Sequence, residues 1–153
     1  MLPPFQRLLD EHRADVWRFL VASVGPAEAE DCFQETFLAA LRAYPRLRSG
    51  ANLKSWVFTI AHRKALDAHR RRAKEAVPVP AVPERAAAAD ANGDPELWQA
   101  VRGLPAKQRT AIAHRFVSDL AYKDIADVMS TTEAAARQNV REGIKRLRKE
   151  LQG

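Results

Sequence analysis

Between residues 76 and 95 the chain reads AVPVPAVPERAAAADANGDP. Four prolines, a run of alanines and Asn92-Gly93 leave no apolar stripe that a helix or strand could bury. The Pro-rich first half favours extended polyproline II backbone, and the Ala-rich middle can be transiently helical. This stretch reads as a flexible tether, so whatever folds must fold on either side of it. Fully stretched, it would span on the order of 60 Å at ~3.1 Å per residue.

Both flanks carry helical periodicity and neither carries a strand signal. Phe5, Leu8, Leu9, His12, Val16, Phe19 and Leu20 recur at i, i+3, i+4, i+7 spacing, the pattern of an amphipathic helix. Gly25-Pro26 ends that helix and opens a second, which Pro45 stops. The second has a core stripe of Ala29, Phe33, Thr36, Phe37, Ala40, Leu41 and Tyr44. A third begins at Leu53 with Trp56, Val57, Ile60 and Ala61 on one side. Past the tether, Asp94-Pro95-Glu96 is a helix start: cap, proline at the first position, acid in the first turn. Leu104, Ile112 and Phe116 are expected inside, then Tyr122, Ile125, Ala126 and Met129 on a short helix. After the turn at residues 130–132, which Thr131 or Thr132 can cap, Ala136, Val140, Ile144, Leu147 and Leu151 form the inner stripe of a last helix. The expected fold is all-α: two small helical domains, residues 1–75 and 95–153, joined by a flexible linker over 76–94, the C-terminal domain a helix-turn-helix.

Charge narrows the function. The chain has 25 Lys and Arg against 19 Asp and Glu, a net charge of +6. Residues 53–75 contain seven basic and two acidic side chains, so most of that excess sits on the third helix. A helix that is apolar at one end and cationic at the other can dock in its own domain and still reach a polyanion, nucleic acid foremost. Cys32 is the only cysteine, so it forms neither an intrachain disulfide nor a thiolate zinc cage, and it is expected to be a small buried apolar residue. No apolar run approaches the ~18 residues of a membrane span, and no signal peptide is evident, so a cytoplasmic chain is expected. His12, His62, His69 and His114 stand in no metal-binding spacing, and there is no Gly-rich phosphate loop or G-x-S-x-G. No catalytic residue, metal or cofactor is therefore expected.

Helix, tight turn, helix is the architecture of a major-groove reader. Beside the inner stripe of the last helix run Arg137, Arg141, Lys145 and Arg148, with Gln138 and Asn139 near its start. Arg suits guanine, Asn or Gln suits adenine, and Lys suits phosphate.

Three motifs, in order across the tether, resemble the sigma-70 family of bacterial RNA polymerase sigma factors, of the extracytoplasmic-function type. AEDCFQETF over residues 29–37 looks like the helix that docks on the clamp helices of the polymerase. WVFTIAHRKALDAHRRR over 56–72 resembles the promoter-opening helix. Leu104-Pro105, Gln108-Arg109 and LAYKDIA over 120–126 resemble the second DNA-binding domain. Arg63 stands where many members have Asn, His62 where many have Arg, and Ser130 at a turn position that is usually Gly.

The resemblance implies core RNA polymerase and promoter DNA as partners, and it admits an anti-sigma factor as a third. Asp31, Gln34, Glu35 and Leu38 would face the polymerase. Arg46, Arg48 and Asn52 would border a loop that accepts a base turned out of the duplex. Arg63, Lys64, Arg70 and Arg71 would hold phosphates around the minus-ten element. Trp56 and Phe58 can stack bases or belong to the core. Thr132, Arg137, Gln138, Asn139, Arg141 and Lys145 would read the minus-thirty-five element. The rival readings are a helix-turn-helix regulator that binds duplex DNA without polymerase, and a polymerase-binding antagonist.

Overall fold

The computed structural model describes residues 2–75 and 94–152; the expected tether over 76–94 lies almost wholly outside them. Among the described residues there is no strand. The N-terminal unit is three helices: α1 (Phe5–Val24), α2 (Pro26–Ala43) and α3 (Leu53–Glu75), with a 3-10 turn at Tyr44–Arg46. The C-terminal unit has α4 (Pro95–Arg102), α5 (Ala106–Ile112) running into a π-helical turn (Ala113–Val117), α6 (Tyr122–Val128) and α7 (Glu133–Gln152).

Helix ends follow from local chemistry. Gly25, at φ 84°, turns the chain between α1 and α2, and Pro26 supplies a first position that needs no N–H. Asn52 accepts a bond from the Ser55 N–H at 3.2 Å and opens α3. Asp94 accepts from the Glu96 N–H at 3.0 Å and opens α4, as its sequence predicts. Of the two threonines that can cap α7, Thr132 does so, accepting from the Ala135 N–H at 3.0 Å.

The stripes largely meet as the periodicity predicts. Leu8, Val16, Phe19 and Leu20 of α1 are buried with Ala29, Thr36, Phe37 and Ala40 of α2 and Val57 and Ala61 of α3. Cys32 is fully buried, its thiol 3.7 Å from the Lys64 carbonyl. Burial, with Glu28 and Glu35 adding to it, pushes that thiol up to about 11. Aromatic edges tie the outer ends together: Trp17 meets Phe33 at 5.7 Å, Phe5 meets Tyr44 at 5.4 Å, and the Tyr44 hydroxyl donates to the Pro3 carbonyl.

Three expected core residues are not inside. Leu41 is 52% exposed because Thr36, Phe37 and Ala40 already define the buried face and Leu41 lies past its edge. Leu151 is exposed because the buried stripe of α7 ends one turn earlier, at Leu147. Phe116 is 58% exposed because α5 widens into a π turn, closed by Ser118 N–H to Ala113 carbonyl at 3.2 Å. The extra residue per turn rotates the frame. It carries Phe116 out and places His114 inside.

The two units lie against one another. One continuous core runs from Leu8, Phe19 and Leu20 through Phe58 to Ala113, Leu120, Ile125, Val128 and Ala136. The contacts across the seam come from α1 and α3 on one side and from α4, α5, the π turn and α6 on the other.

Candidate functional site

Three exposed faces carry the polar chemistry, and the seam leaves each outside. On α2, Asp31 and Gln34 are exposed, Glu35 is half-buried, and Leu38 is 52% exposed. These four share one face, since their offsets of 3 and 4 place them on successive turns. Leu41, missed as a surface residue, extends that face by one more apolar side chain. Two adjacent exposed leucines beside carboxylates offer both desolvation and charge to a partner.

Before and along α3, Arg46, Arg48 and Asn52 are exposed around the loop, and Asn52 also caps the helix. Arg63 and Arg70 are exposed on the far side of α3 from its core, Arg71 is exposed at the flank of that core, and Lys64 is half-buried. Arg70 meets Asp67 at only 3.8 Å with 74% of its side chain exposed, a pair too open to hold it back from another anion. Trp56 is half-buried and packs toward Tyr44, ring centroids 6.0 Å apart. Phe58 is fully buried against Phe19, so in this packing it has no face to offer a base. The reason is the seam, which three-helix periodicity alone does not reveal.

On α7, Arg137, Gln138, Arg141 and Lys145 are exposed, with Asn139 half-buried and Thr132 exposed at the cap. Neighbours hold some of these in place. Arg137 bonds Glu133 at 2.9 Å, and Gln138 donates to Glu142 at 2.8 Å. The guanidinium of Arg137 lies 4.6 Å from the centre of the Tyr122 ring, and that of Arg115 lies equally near. Tyr122, expected only as core, is therefore also the aromatic platform that positions Arg137.

The turn between α6 and α7 fixes the angle of α7. Ser130 takes a left-handed conformation, φ 54°. Thr131 N–H bonds the Ala126 carbonyl at 2.9 Å and Ser130 N–H bonds that of Asp127 at 3.3 Å, a Schellman closure. On the other side, Gly143 of α7 sits where a Cβ would come 2.3 Å from Cδ1 of Ile112, so α7 and α5 cross in close contact.

Histidines line the seam itself. His114 is fully buried, its Nε2 3.5 Å from Nδ1 of His62, and its own Nδ1 has no partner among the described residues. Burial, then the neighbouring Arg63, holds His62 down to about 4; burial, then His62, holds His114 well below the ordinary imidazole value. Among the described residues no three His, Cys, Asp or Glu side chains could hold a metal ion, and no helix is long and apolar enough to cross a membrane.

Residues 8–75 match the family model described as sigma-70 region 2, and residues 95–147 match that of sigma-70 region 4. The chain is 30% identical to the ECF RNA polymerase sigma factor SigD of Mycobacterium tuberculosis, over 95% of this chain and 76% of that protein. It is 29% identical to RNA polymerase sigma factor CarQ of Myxococcus xanthus, over 96% of this chain and 88% of that protein. Its fold matches that of the sigma factor RpoE of Bartonella quintana, solved with the anti-sigma factor NepR. That match has a TM-score of 0.78 and 23% identity, and it covers 97% of this chain and 96% of the other.

Proposed function

Because the chain belongs to the sigma-70 family of RNA polymerase sigma factors, with regions 2 and 4 in order and relatives of the extracytoplasmic-function type, we infer that it binds core RNA polymerase, recognises minus-ten and minus-thirty-five elements and promotes melting between them. Sigma factors are non-catalytic initiation factors, so the chain contributes binding energy and the chemistry belongs to the polymerase. That role places it in the cytoplasm. The proposed domains are residues 1–75 and 95–153, with 76–94 as the linker.

The observation that carries this reading is the exposure of all three faces at once. Asp31, Gln34, Glu35 and Leu38 form the proposed polymerase contact. Arg63, Lys64, Arg70 and Arg71 would track phosphates of the minus-ten element, with Arg46, Arg48 and Asn52 around an extruded base and Trp56 beneath it. Melting without chemistry is feasible because extruding a base costs only a few kcal/mol, which phosphate contacts and a fitted pocket can offset. Thr132, Arg137, Gln138, Asn139, Arg141 and Lys145 would read the minus-thirty-five element. RpoE is bound by NepR in its solved complex, which supports an anti-sigma factor as a further partner here.

The packed arrangement bears on how this would work. The two promoter elements lie about 25 base pairs apart, on the order of 85 Å at ~3.4 Å per base pair. A folded chain of this length has a radius of gyration of only about 15 Å. The units must separate to reach both elements, and a linker able to stretch to about 60 Å permits it. The packed form is then the resting form. The test is run-off transcription with core polymerase, with start sites mapped after overproduction of the protein. Starts sharing both elements are expected. Tight binding to promoter duplex in the absence of core polymerase, with no transcription when core is added, would instead mark a helix-turn-helix regulator.

A further inference from the structure

A cleft of about 240 Å³ opens on the seam, lined by Ser23 of α1, Glu28 of α2, His69 and Arg72 of α3, Arg102 of α4 and Arg109 of α5, among others. Arg72 and Arg109 enter it from opposite sides of the seam, and Glu28 is the carboxylate among these residues. Glu28 answers part of this charge by pairing with Arg72, but at 3.7 Å and with the arginine 60% exposed. Arg109 spends one nitrogen on the Arg102 carbonyl, at 2.9 Å. Its Nε is buried with no partner among the described residues. A buried guanidinium nitrogen left unbonded is costly, and like charges facing each other in a half-desolvated cleft add to that cost.

The electrostatics agree with the geometry. Burial, then the nearby Arg72, lowers the pKa of Arg109. Burial, then Arg109 and Arg72, lowers that of His69 to about 4. The charge of Arg72 thus bears on both Arg109 and His69. Ser23 Oγ lies 3.3 Å from His69 Nε2, so a hydroxyl and an imidazole also face the space. A cleft of about 240 Å³ has room for a tetrahedral oxyanion with residual water.

We propose that this cleft is a binding site for a small phosphate-class anion, held between Arg72 of the N-terminal unit and Arg109 of the C-terminal unit. Guanidiniums match phosphate oxygens in planar, bidentate geometry. Because its two main ligands come from opposite sides of the seam, the anion binds only the packed form and stabilises it by mass action. On the reading of the packed form as the resting state, occupancy would oppose engagement of core polymerase.

Binding itself is tested without polymerase, so its failure leaves the proposed function untouched. The full-length chain is titrated with inorganic phosphate and with pyrophosphate, at ionic strength matched by chloride, following heat of binding and the thermal unfolding midpoint. One saturable site and a saturable rise in midpoint are expected. Arg72→Gln and Arg109→Gln should each weaken binding at least about tenfold, the loss of one charge-assisted contact. Lys149→Gln, on the exposed face of α7, should not. Arg109→Gln also removes a bond to α4, so Arg72→Gln, at a mostly exposed position, settles the matter if the other variant unfolds. A response no greater than that to chloride, or an unchanged response in Arg72→Gln, would overturn the proposal. So would a short DNA duplex that occupies Arg72 while phosphate does not bind.

Discussion

The imidazole of His114 lies flat on the ring of Phe19, centroids 4.1 Å apart and planes 11° from parallel. One residue belongs to the C-terminal unit and the other to the first helix of the N-terminal unit, and Phe58 closes the pocket edge-on at 5.9 Å from the same imidazole. A neutral histidine thus packs among phenylalanines within the seam.

Acid should loosen this seam. In the unfolded chain a histidine gains its proton near pH 6.5, whereas folded His62 resists until about 4 and His114 resists further, chiefly because both are buried. Between those values the unfolded state binds more protons, so stability is complete above pH 6.5 and falls as pH falls toward 4. Each such histidine contributes a slope of about 1.4 kcal/mol per pH unit. Urea unfolding from pH 7 to 4.5 measures this. His114→Leu should remove about one histidine's share of the slope, and an unaltered slope would show that His114 titrates normally.

At Gly143 two effects compete. Alanine gains about 1 kcal/mol of helix propensity over glycine. The added Cβ would meet Ile112, itself only 3% exposed, with Cδ1 at 2.3 Å and Cγ1 at 3.2 Å. Overpacking of that kind costs roughly 1–3 kcal/mol. Because Ile112 has little room to move, Gly143→Ala should destabilise the protein on balance. It should also tilt α7 and so reduce minus-thirty-five binding, which thermal unfolding and promoter binding by the holoenzyme would register together.

Helical periodicity made most of the fold legible. The stripes through Leu8, Val16 and Phe19, through Ala29 and Phe37, and through Ala136 and Val140 are all buried as spaced. What could not be read was the contact between units. Phe58 and His114 bury each other, and the stripe on each helix shows that a face is covered without showing that the other unit covers it. The π turn is equally silent, because one extra residue in a helix leaves no compositional mark, yet it decides between Phe116 and His114. At the site, charge patterning placed the exposed cations of α3 and α7. The stacking of Arg137 on Tyr122 joins residues from different helices, which no single-helix pattern encodes.

Ser130 holds a conformation that costs an L-residue other than glycine or asparagine roughly 1–2 kcal/mol, at φ 54°. Glycine escapes that cost but gives up roughly 0.5–1 kcal/mol of backbone entropy. Ser130→Gly should therefore stabilise the chain modestly, by about 0.5–1 kcal/mol, without changing promoter preference. A drop in the unfolding midpoint would mean that the serine side chain contributes something the turn geometry does not account for.

Arg137 and Arg141 should differ in a measurable way. A base-edge contact from either is worth about 1–3 kcal/mol at a single promoter position. Arg137 must first loosen its 2.9 Å pairing with Glu133, an exposed i,i+4 contact worth about 0.3–0.5 kcal/mol. Alanine at 137 should then cost slightly less than alanine at 141, and the two losses should map to different positions in a minus-thirty-five substitution series. Uniform losses on every sequence would reassign both to phosphate.

Separation of the two units can be followed directly. Cys32 is buried and its thiol is pushed up to about 11, so it should not compete with exposed cysteines for labels at neutral pH. Ala14 and Glu150 are exposed, one on α1 and one near the end of α7. Fluorophores on Ala14→Cys and Glu150→Cys should transfer energy efficiently in the free protein, whose units share one core. Core polymerase should abolish most of that transfer, because the two promoter elements stand farther apart than the packed chain can reach. Addition of phosphate alone should leave transfer high. Transfer that stays high in an active holoenzyme would mean that the chain spans its promoter without opening, and the packed form could not then be a resting state.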